Sequence, residues 1–324
     1  MPKHDTTPPH DTTPPHDPVP QNAAVRQHAA LPRTSQEIAT QPQSWQRALG
    51  ELPEHLPALP AKGERVAVIG CGTSLFMAQA YAQLREATGQ GPTDAFAASA
   101  APLHRPYDRI LALTRSGTTT EILSAIEAAR PAARVTTITA VPDSPAARAA
   151  HDVVGLDWAD EQSVVQTRYP TTQLVLLMAH LGQDLDQALA DVPRALDTPL
   201  ELFPDLVTAQ QITFLGADWH TGLAHEAALK VREAAAHWTE SYAVMEYRHG
   251  PIAVAGPGRS VWSLSPLPSA LAEQIEATGA RLRRPQWHPL AELVLAQRLA
   301  VRLSEAAGRD PDRPAHLTRS VVLT

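Results

Sequence analysis

Thr114-Arg115-Ser116-Gly117-Thr118-Thr119-Thr120 carries five hydroxyls and a guanidinium in seven residues. All six groups donate hydrogen bonds, and Gly117 lets the backbone come close to whatever they hold. The chemistry they suit is capture of an anion. Apolar residues from Ile110 lead into this stretch, and an amphipathic run begins at Glu121. The pattern predicts a buried strand, a turn and the N-terminus of a helix. The first N–H groups of a helix lack internal partners, and the helix dipole favours negative charge at that end, so a phosphate fits. A polar loop with a threonine N-cap would not need so many donors. Gly70-Cys71-Gly72-Thr73-Ser74 forms a second turn after the apolar run Val66–Ile69. Leu75 stands where a dinucleotide fingerprint needs its third glycine. The turn therefore reads as a second hydroxyl site, with Ser74 donating to the same anion. Cys71 reads as packing.

The other chemical stretch is His225 to Pro251, HEAALKVREAAAHWTESYAVMEYRHGP. Glu226 and Glu233 are seven residues apart, two helical turns on nearly one face. Several carboxylates on a helix usually mark a solvated face. Here the run also carries Ala227, Ala228, Leu229, Val231 and Ala234–Ala236, so it is expected to be largely buried. His249 sits before Gly250-Pro251, at a chain reversal that can aim a side chain. Leu229 follows His225 by four, so no H-E-x-x-H metal motif exists and no metal site is assigned.

These residues need a scaffold that brings strand ends together. Apolar runs at Val66–Ile69, Ile110–Leu113 and Val135–Thr139, with weaker ones at Asp94–Ala98 and Val153–Leu156, alternate with helical stretches. That alternation predicts an α/β fold with a doubly wound, flavodoxin-like parallel sheet. Ligands of such sheets bind at the carboxyl ends of neighbouring strands, where both hydroxyl turns would meet. From Ile212, ITFLGADWHTGLAHEAALKVRE echoes VAVIGCGTSLFMAQAYAQLRE from Val66, which predicts a second lobe. Its third strand, Val261–Leu264, runs into SPLPSA, without the hydroxyl turn. The expected divisions are a biased tail over residues 1–33, a first lobe over 34–195 with the anion site, and a second lobe over 196–324. The tail holds HDTTPP twice and little to bury, which predicts disorder. Its histidines read as solvated. Thr34-Ser35-Gln36-Glu37 has capping-box form, so a short helix is expected to open the fold.

Composition narrows the class. A charge of −7 argues against a general nucleic-acid partner, and no apolar run is long enough to span a membrane. A single cysteine and the lack of a signal-peptide pattern fit a reducing cytoplasm.

In five separate segments, the chain resembles the SIS (sugar isomerase) phosphosugar-binding family. It is most similar to the isomerase half of glucosamine-6-phosphate synthase and to stand-alone aminosugar-phosphate deaminases. The segments are CGTS at Cys71–Ser74, TRSGTTTE at Thr114–Glu121, EQSVVQTR at Glu161–Arg168, EAALKVRE to RHGP, and the final DRPAHLTRSVVLT. The resemblance covers about Thr34 to Thr324. It implies two tandem SIS lobes and no cofactor. The implied sugar-phosphate contacts are Ser74, Thr114, Arg115, Ser116, Gly117 and Thr119. Val164 and Gln166 would lie in the segment over the sugar, and Arg319 in the tail that covers the site. Glu233 would move a proton between C1 and C2 of the open-chain sugar. His249, from the neighbouring subunit of a homodimer, would open the ring. Both types suit those tasks near neutral pH.

The departures matter too. Arg115 replaces a glutamine of the synthase, Gln166 a serine, and Arg319 the lysine that forms a Schiff base with the ketose. The stretch before residue 34 is too short for a glutaminase domain, and no cysteine follows Met1. The expectation is an aminosugar 6-phosphate deaminase or isomerase that uses free ammonia and favours deamination. A fructosamine-6-phosphate deglycase and a non-catalytic sugar-phosphate sensor stay open beside it.

Overall fold

Side chains of β1 (Val66–Gly70) alternate between two cores, as the period of a strand requires. Val66 and Val68 face a large helical core, and Ala67 and Ile69 face a smaller one. The computed structural model describes residues 31–323, and the region from residue 32 onward forms one compact unit. Most of the biased tail lies outside the described residues. The chain enters through α1 (Arg33–Ala39) and α2 (Gln41–His55), so Arg33 is already helical. After β1 come α3 (Thr73–Ala87), β2 (Thr93–Ala97), β3 (Arg109–Leu113), α4 (Thr120–Ala129) and β4 (Arg134–Thr139). Then follow α5 (Pro145–Ala149), β5 (Asp152–Gly155), α6 (Arg168–His180), α7 (Asp186–Asp197) and α8 (Pro204–Val207). The remainder is β6 (Gln211–Gly216), α9 (His220–Ala235), β7 (Thr239–Ala243), β8 (Arg259–Ser263), α10 (Ser269–Ala277), β9 (Arg281–Arg283) and α11 (Pro289–Ala306).

Two parallel sheets result, ordered β2-β1-β3-β4-β5 and β7-β6-β8-β9. The second sheet repeats the order of the first with one strand fewer. The repeat is also local. A Cβ on Gly70 would lie 2.5 Å from the Ser74 backbone, and one on Gly216 would lie 2.2 Å from the His220 carbonyl. Each glycine lets a helix pack straight back on its strand. The expected boundary near residue 195 falls inside α7, and a single core spans both halves. It joins Leu111, Trp262, Leu177, Leu223 and Leu295, from both sheets and the helices between them.

The expected capping box at Thr34 does not form. Asp312, near the other end of the chain, accepts from the Arg33 and Thr34 N–H groups, each at 2.8 Å, and from the Thr34 hydroxyl at 2.7 Å. Glu37 instead accepts from the Gln162 N–H at 2.5 Å and from the Ser163 hydroxyl. A distant carboxylate meets the helix's free donors, which releases the local glutamate to hold another loop.

Candidate active site

The strand order of the first sheet reverses between β1 and β3, which opens a crevice at their carboxyl ends. The two hydroxyl turns leave from these adjacent strands. Gly117 adopts φ 64°, and a Cβ there would lie 2.0 Å from the Ser144 hydroxyl, so only glycine fits. Thr114 Oγ1 accepts from the Gly117 N–H at 3.2 Å and braces the turn. Thr119 is the N-cap residue of α4, yet its side chain makes no cap hydrogen bond. The hydroxyls of Ser74, Ser116 and Thr119 donate to no protein acceptor among the described residues. These are the groups an incoming anion would use.

Glu226, Lys230 and Glu233 lie on α9, which crosses α3 closely. A Cβ on Gly222 would lie 2.4 Å from the Phe76 carbonyl, so the two backbones touch at that point. One and two turns further on, Glu226 and Lys230 reach Thr73, beside Ser74. The buried Lys230 ammonium lies 2.9 Å from the Thr73 hydroxyl, 2.5 Å from Glu233 Oε2 and 3.4 Å from Glu226 Oε1. Thr73 also donates to Glu226 at 3.3 Å. Burial pushes the Glu226 carboxyl up to about 8, against the pull of Lys230 and with the help of Glu233. Burial works to lower the Lys230 pKa, but the two carboxylates outweigh it and hold the ammonium above its ordinary value. Lys230 thus bridges the two carboxyl groups, the buried one of Glu226 and the half-buried one of Glu233. Only Glu233 is partly open to solvent. A cavity of about 630 Å³ lies against it, closed on the far side by Pro314–Leu317 of the tail.

The remaining expected contacts do not line that cavity. Arg115 is buried and spends its guanidinium on backbone carbonyls of Ser163 at 2.9 Å, Val164 at 3.2 Å and Arg319 at 3.2 Å. The segment Glu161–Arg168 is held from beneath as well. Glu161 accepts from the N–H groups of Thr167 at 2.7 Å and Arg168 at 2.8 Å, at the start of α6. Gln166 Oε1 is buried with no hydrogen-bond partner among the described residues. Arg319 pairs with Asp160 at 2.6 Å and donates to the Glu161 carbonyl, so its side chain anchors the tail. Beyond it, the tail crosses the start of α4. The Thr120 N–H donates to the Val321 carbonyl at 3.2 Å, and the Leu323 N–H donates to the Thr120 hydroxyl at 2.9 Å.

His249 stays apart. It is exposed, after the short helical turn Glu246–Arg248, and does not line the cavity beside Glu233. Glu240 pairs with Tyr242 on β7 and is also remote. Cys71 is half-buried and packs on the outer core of the first sheet. Lys230 was not among the residues expected from sequence. Its signal was available: it lies four after Glu226 and three before Glu233, on the same face of an alanine-rich helix.

Comparison with known proteins follows the same lines. A family model described as SIS domain matches residues 61–181. The glutamine–fructose-6-phosphate aminotransferase (isomerizing) of Methanothermobacter thermautotrophicus is 29% identical, over 89% of this chain and 57% of its own. That of Tropheryma whipplei is 27% identical, over 80% of this chain and 52% of its own. The chain thus spans about half the length of the curated relatives it matches. Among solved structures, glucosamine-6-phosphate deaminase from Thermotoga maritima superposes with a TM-score of 0.79 at 24% identity, covering 90% of this chain and all of that one. Tagatose-6-phosphate ketose/aldose isomerase from Escherichia coli gives 0.74 at 20% identity, over 88% and 96%.

Proposed function

We propose that this chain, a SIS-domain protein whose family match spans residues 61–181, is an enzyme that isomerises and deaminates an aminosugar 6-phosphate. The second sheet is read as a second SIS lobe, without an anion turn of its own. The observation that carries the proposal is the 2.5 Å contact of Lys230 with Glu233, one hydrogen bond away from the turn that holds Ser74. With a phosphate at Ser74, Thr114, Ser116 and Thr119, the contacts from Thr73 through Lys230 to Glu233 give the direction in which an open-chain hexose would extend to meet the carboxylate.

There the chemistry needs one carboxylate near two carbons. Glu233 removes the proton from C2 of the 2-amino aldehyde, and the C1 oxygen gains a proton as the enolamine forms. The same carboxylic acid returns its proton to C1. The resulting C2 imine takes up water and releases ammonia, leaving a ketose 6-phosphate. Lys230 holds the Glu233 carboxylate in place through their 2.5 Å contact, and solvent supplies the proton to the C1 oxygen. His249 would come from a second copy of the chain to open the ring. Val164, Gln166 and Arg319 belong to the segments that cover the sugar. The names of the aminotransferases and of the deaminase fit this substrate class.

A fructosamine-6-phosphate deglycase is the sister reading, since an amine at C1 needs the same proton transfer. The contact of buried Lys230 with half-buried Glu233 disfavours a pure sensor, which has no use for a carboxyl group so placed. Incubation with glucosamine 6-phosphate, galactosamine 6-phosphate and fructosamine 6-phosphate, with ammonia and ketose phosphate measured, tests the reading. Ammonia from one of the first two is expected. Ammonia from the third alone would make the protein a deglycase, and binding without turnover would make it a sensor.

A further inference from the structure

Ser116 is 8% exposed, and its oxygen accepts twice from Thr118, from the N–H at 3.3 Å and from the hydroxyl at 3.1 Å. A serine oxygen has two lone pairs, so both are spoken for. Its one hydrogen is left to donate, and no protein acceptor among the described residues takes it. Thr118 has also committed its hydrogen, to Ser116. The 2.7 Å contact between Thr118 Oγ1 and Ser320 Oγ therefore has one consistent sense, in which Ser320 donates and Thr118 accepts. Three hydroxyls then run one way, from Ser320 through Thr118 to Ser116, whose hydrogen is left for a ligand. Hydroxyl chains of one sense polarise each other, which strengthens the terminal donor. The chain starts in the C-terminal tail, 202 residues from Thr118.

We propose that Thr118 and Ser320 are positioning residues for anion recognition. They fix the Ser116 hydrogen toward a bound phosphate without touching it. The proposal rests on the reading of Ser116 as an anion donor. It assigns a role to two hydroxyls that hold each other rather than ligand, and it makes the affinity of the crevice depend on the tail side chain that completes the relay.

The probe is inorganic phosphate, followed by glucosamine 6-phosphate, with binding measured by calorimetry on the full chain. Thr118→Val and Ser320→Ala should each weaken phosphate binding threefold to tenfold. The double variant should be no weaker than the worse single, because both break one relay. Thr118→Ser should restore the affinity of the parent. In turnover the loss should fall on KM, with kcat kept. A chain ending at Val322 separates the relay from tail docking. It loses the Leu323 bond to Thr120 but keeps Ser320, and should bind phosphate within twofold of the parent. If the parent binds neither probe, the anion site and the relay both fall. If the parent binds and both single variants bind equally well, the relay alone is wrong. Weakening by the truncation as large as that of Ser320→Ala would assign the effect to docking and overturn the relay. Should Thr118→Val fail to fold, Ser320→Ala, in the half-exposed tail, carries the same test.

Discussion

Glu226 is the residue whose surroundings most alter its chemistry. Burial pushes its carboxyl up to about 8 from an ordinary 4.5. A group whose pKa is higher folded than unfolded stabilises the fold fully below the unfolded value, and that contribution is lost as pH rises through the folded value. The loss should therefore run from about pH 4.5 to about pH 8. With each unit worth about 1.4 kcal/mol, the ceiling is about 5 kcal/mol, and a few kcal/mol is the expected size. Glu226→Gln keeps the shape and removes the titration. Urea unfolding at pH 5 and pH 8 should show the parent losing stability across that interval and the variant nearly flat. Equal slopes would mean that Glu226 is already ionised in the fold. Arg319 poses the complementary question of which group cannot react. A guanidinium has no free amine lone pair, and this one is tied to Asp160. Lys230 is held protonated by two carboxylates. Borohydride added during turnover with fructose 6-phosphate should leave no sugar adduct by intact-mass spectrometry. A stable adduct that maps to Lys230 would refute a mechanism free of Schiff bases.

Elements decide where such residues meet, and part of this was legible in the chain. The β-branched runs at Val66, Ile110 and Val135 gave their strands away because parallel strands are buried on both faces. The hydroxyl turns followed from glycine and threonine at the strand ends. Lys230 was passed over because a lone lysine on a helix ordinarily reads as surface, and only its spacing to both glutamates argues otherwise. The roles of Asp312, Glu37 and Glu161 had no local signal, since Asp312 acts on a helix start and Glu37 on a loop, each more than a hundred residues away, and Glu161 acts on a helix not yet begun. The crossing of α9 over α3 was equally silent, though it depends on one residue, Gly222. Gly222→Ala places a methyl 2.4 Å from the Phe76 carbonyl, and the helices must part. Overpacking of this kind costs about 1–3 kcal/mol. A fall in Tm with loss of turnover, while phosphate binding persists, is the expected pattern, because Glu226 and Lys230 move off Thr73, and Glu233 with them, but the turns on β1 and β3 stay. Turnover equal to the parent's would show that the contact between α3 and α9 does not set the site.

At the scale of the whole molecule, one chain supplies two hydroxyl turns, the Lys230–Glu233 contact and a tail that lines the cavity, but leaves His249 exposed and outside it. On the proposed function, ring opening needs a group that gives and takes a proton near neutral pH, and the described wall of the cavity offers His316, an exposed tail residue, as its sole imidazole. A second copy that brings its own His249 to Glu233 would complete the site, with two such sites per dimer. Complementation decides between these arrangements. On that proposal Glu233→Gln removes the proton carrier and His249→Ala the ring-opening group, so each variant alone should lose about 10²–10⁴ in turnover. Mixed under conditions that exchange subunits, they form heterodimers in which one site lacks both groups and the other has both. Activity should climb toward a quarter of the parent's, since half the dimers are mixed and each holds one intact site. If exchange is proven by mass spectrometry of the assemblies and no activity returns, His249 serves its own chain or none. His316→Ala then becomes the variant to measure, and its inactivity would move ring opening into the tail.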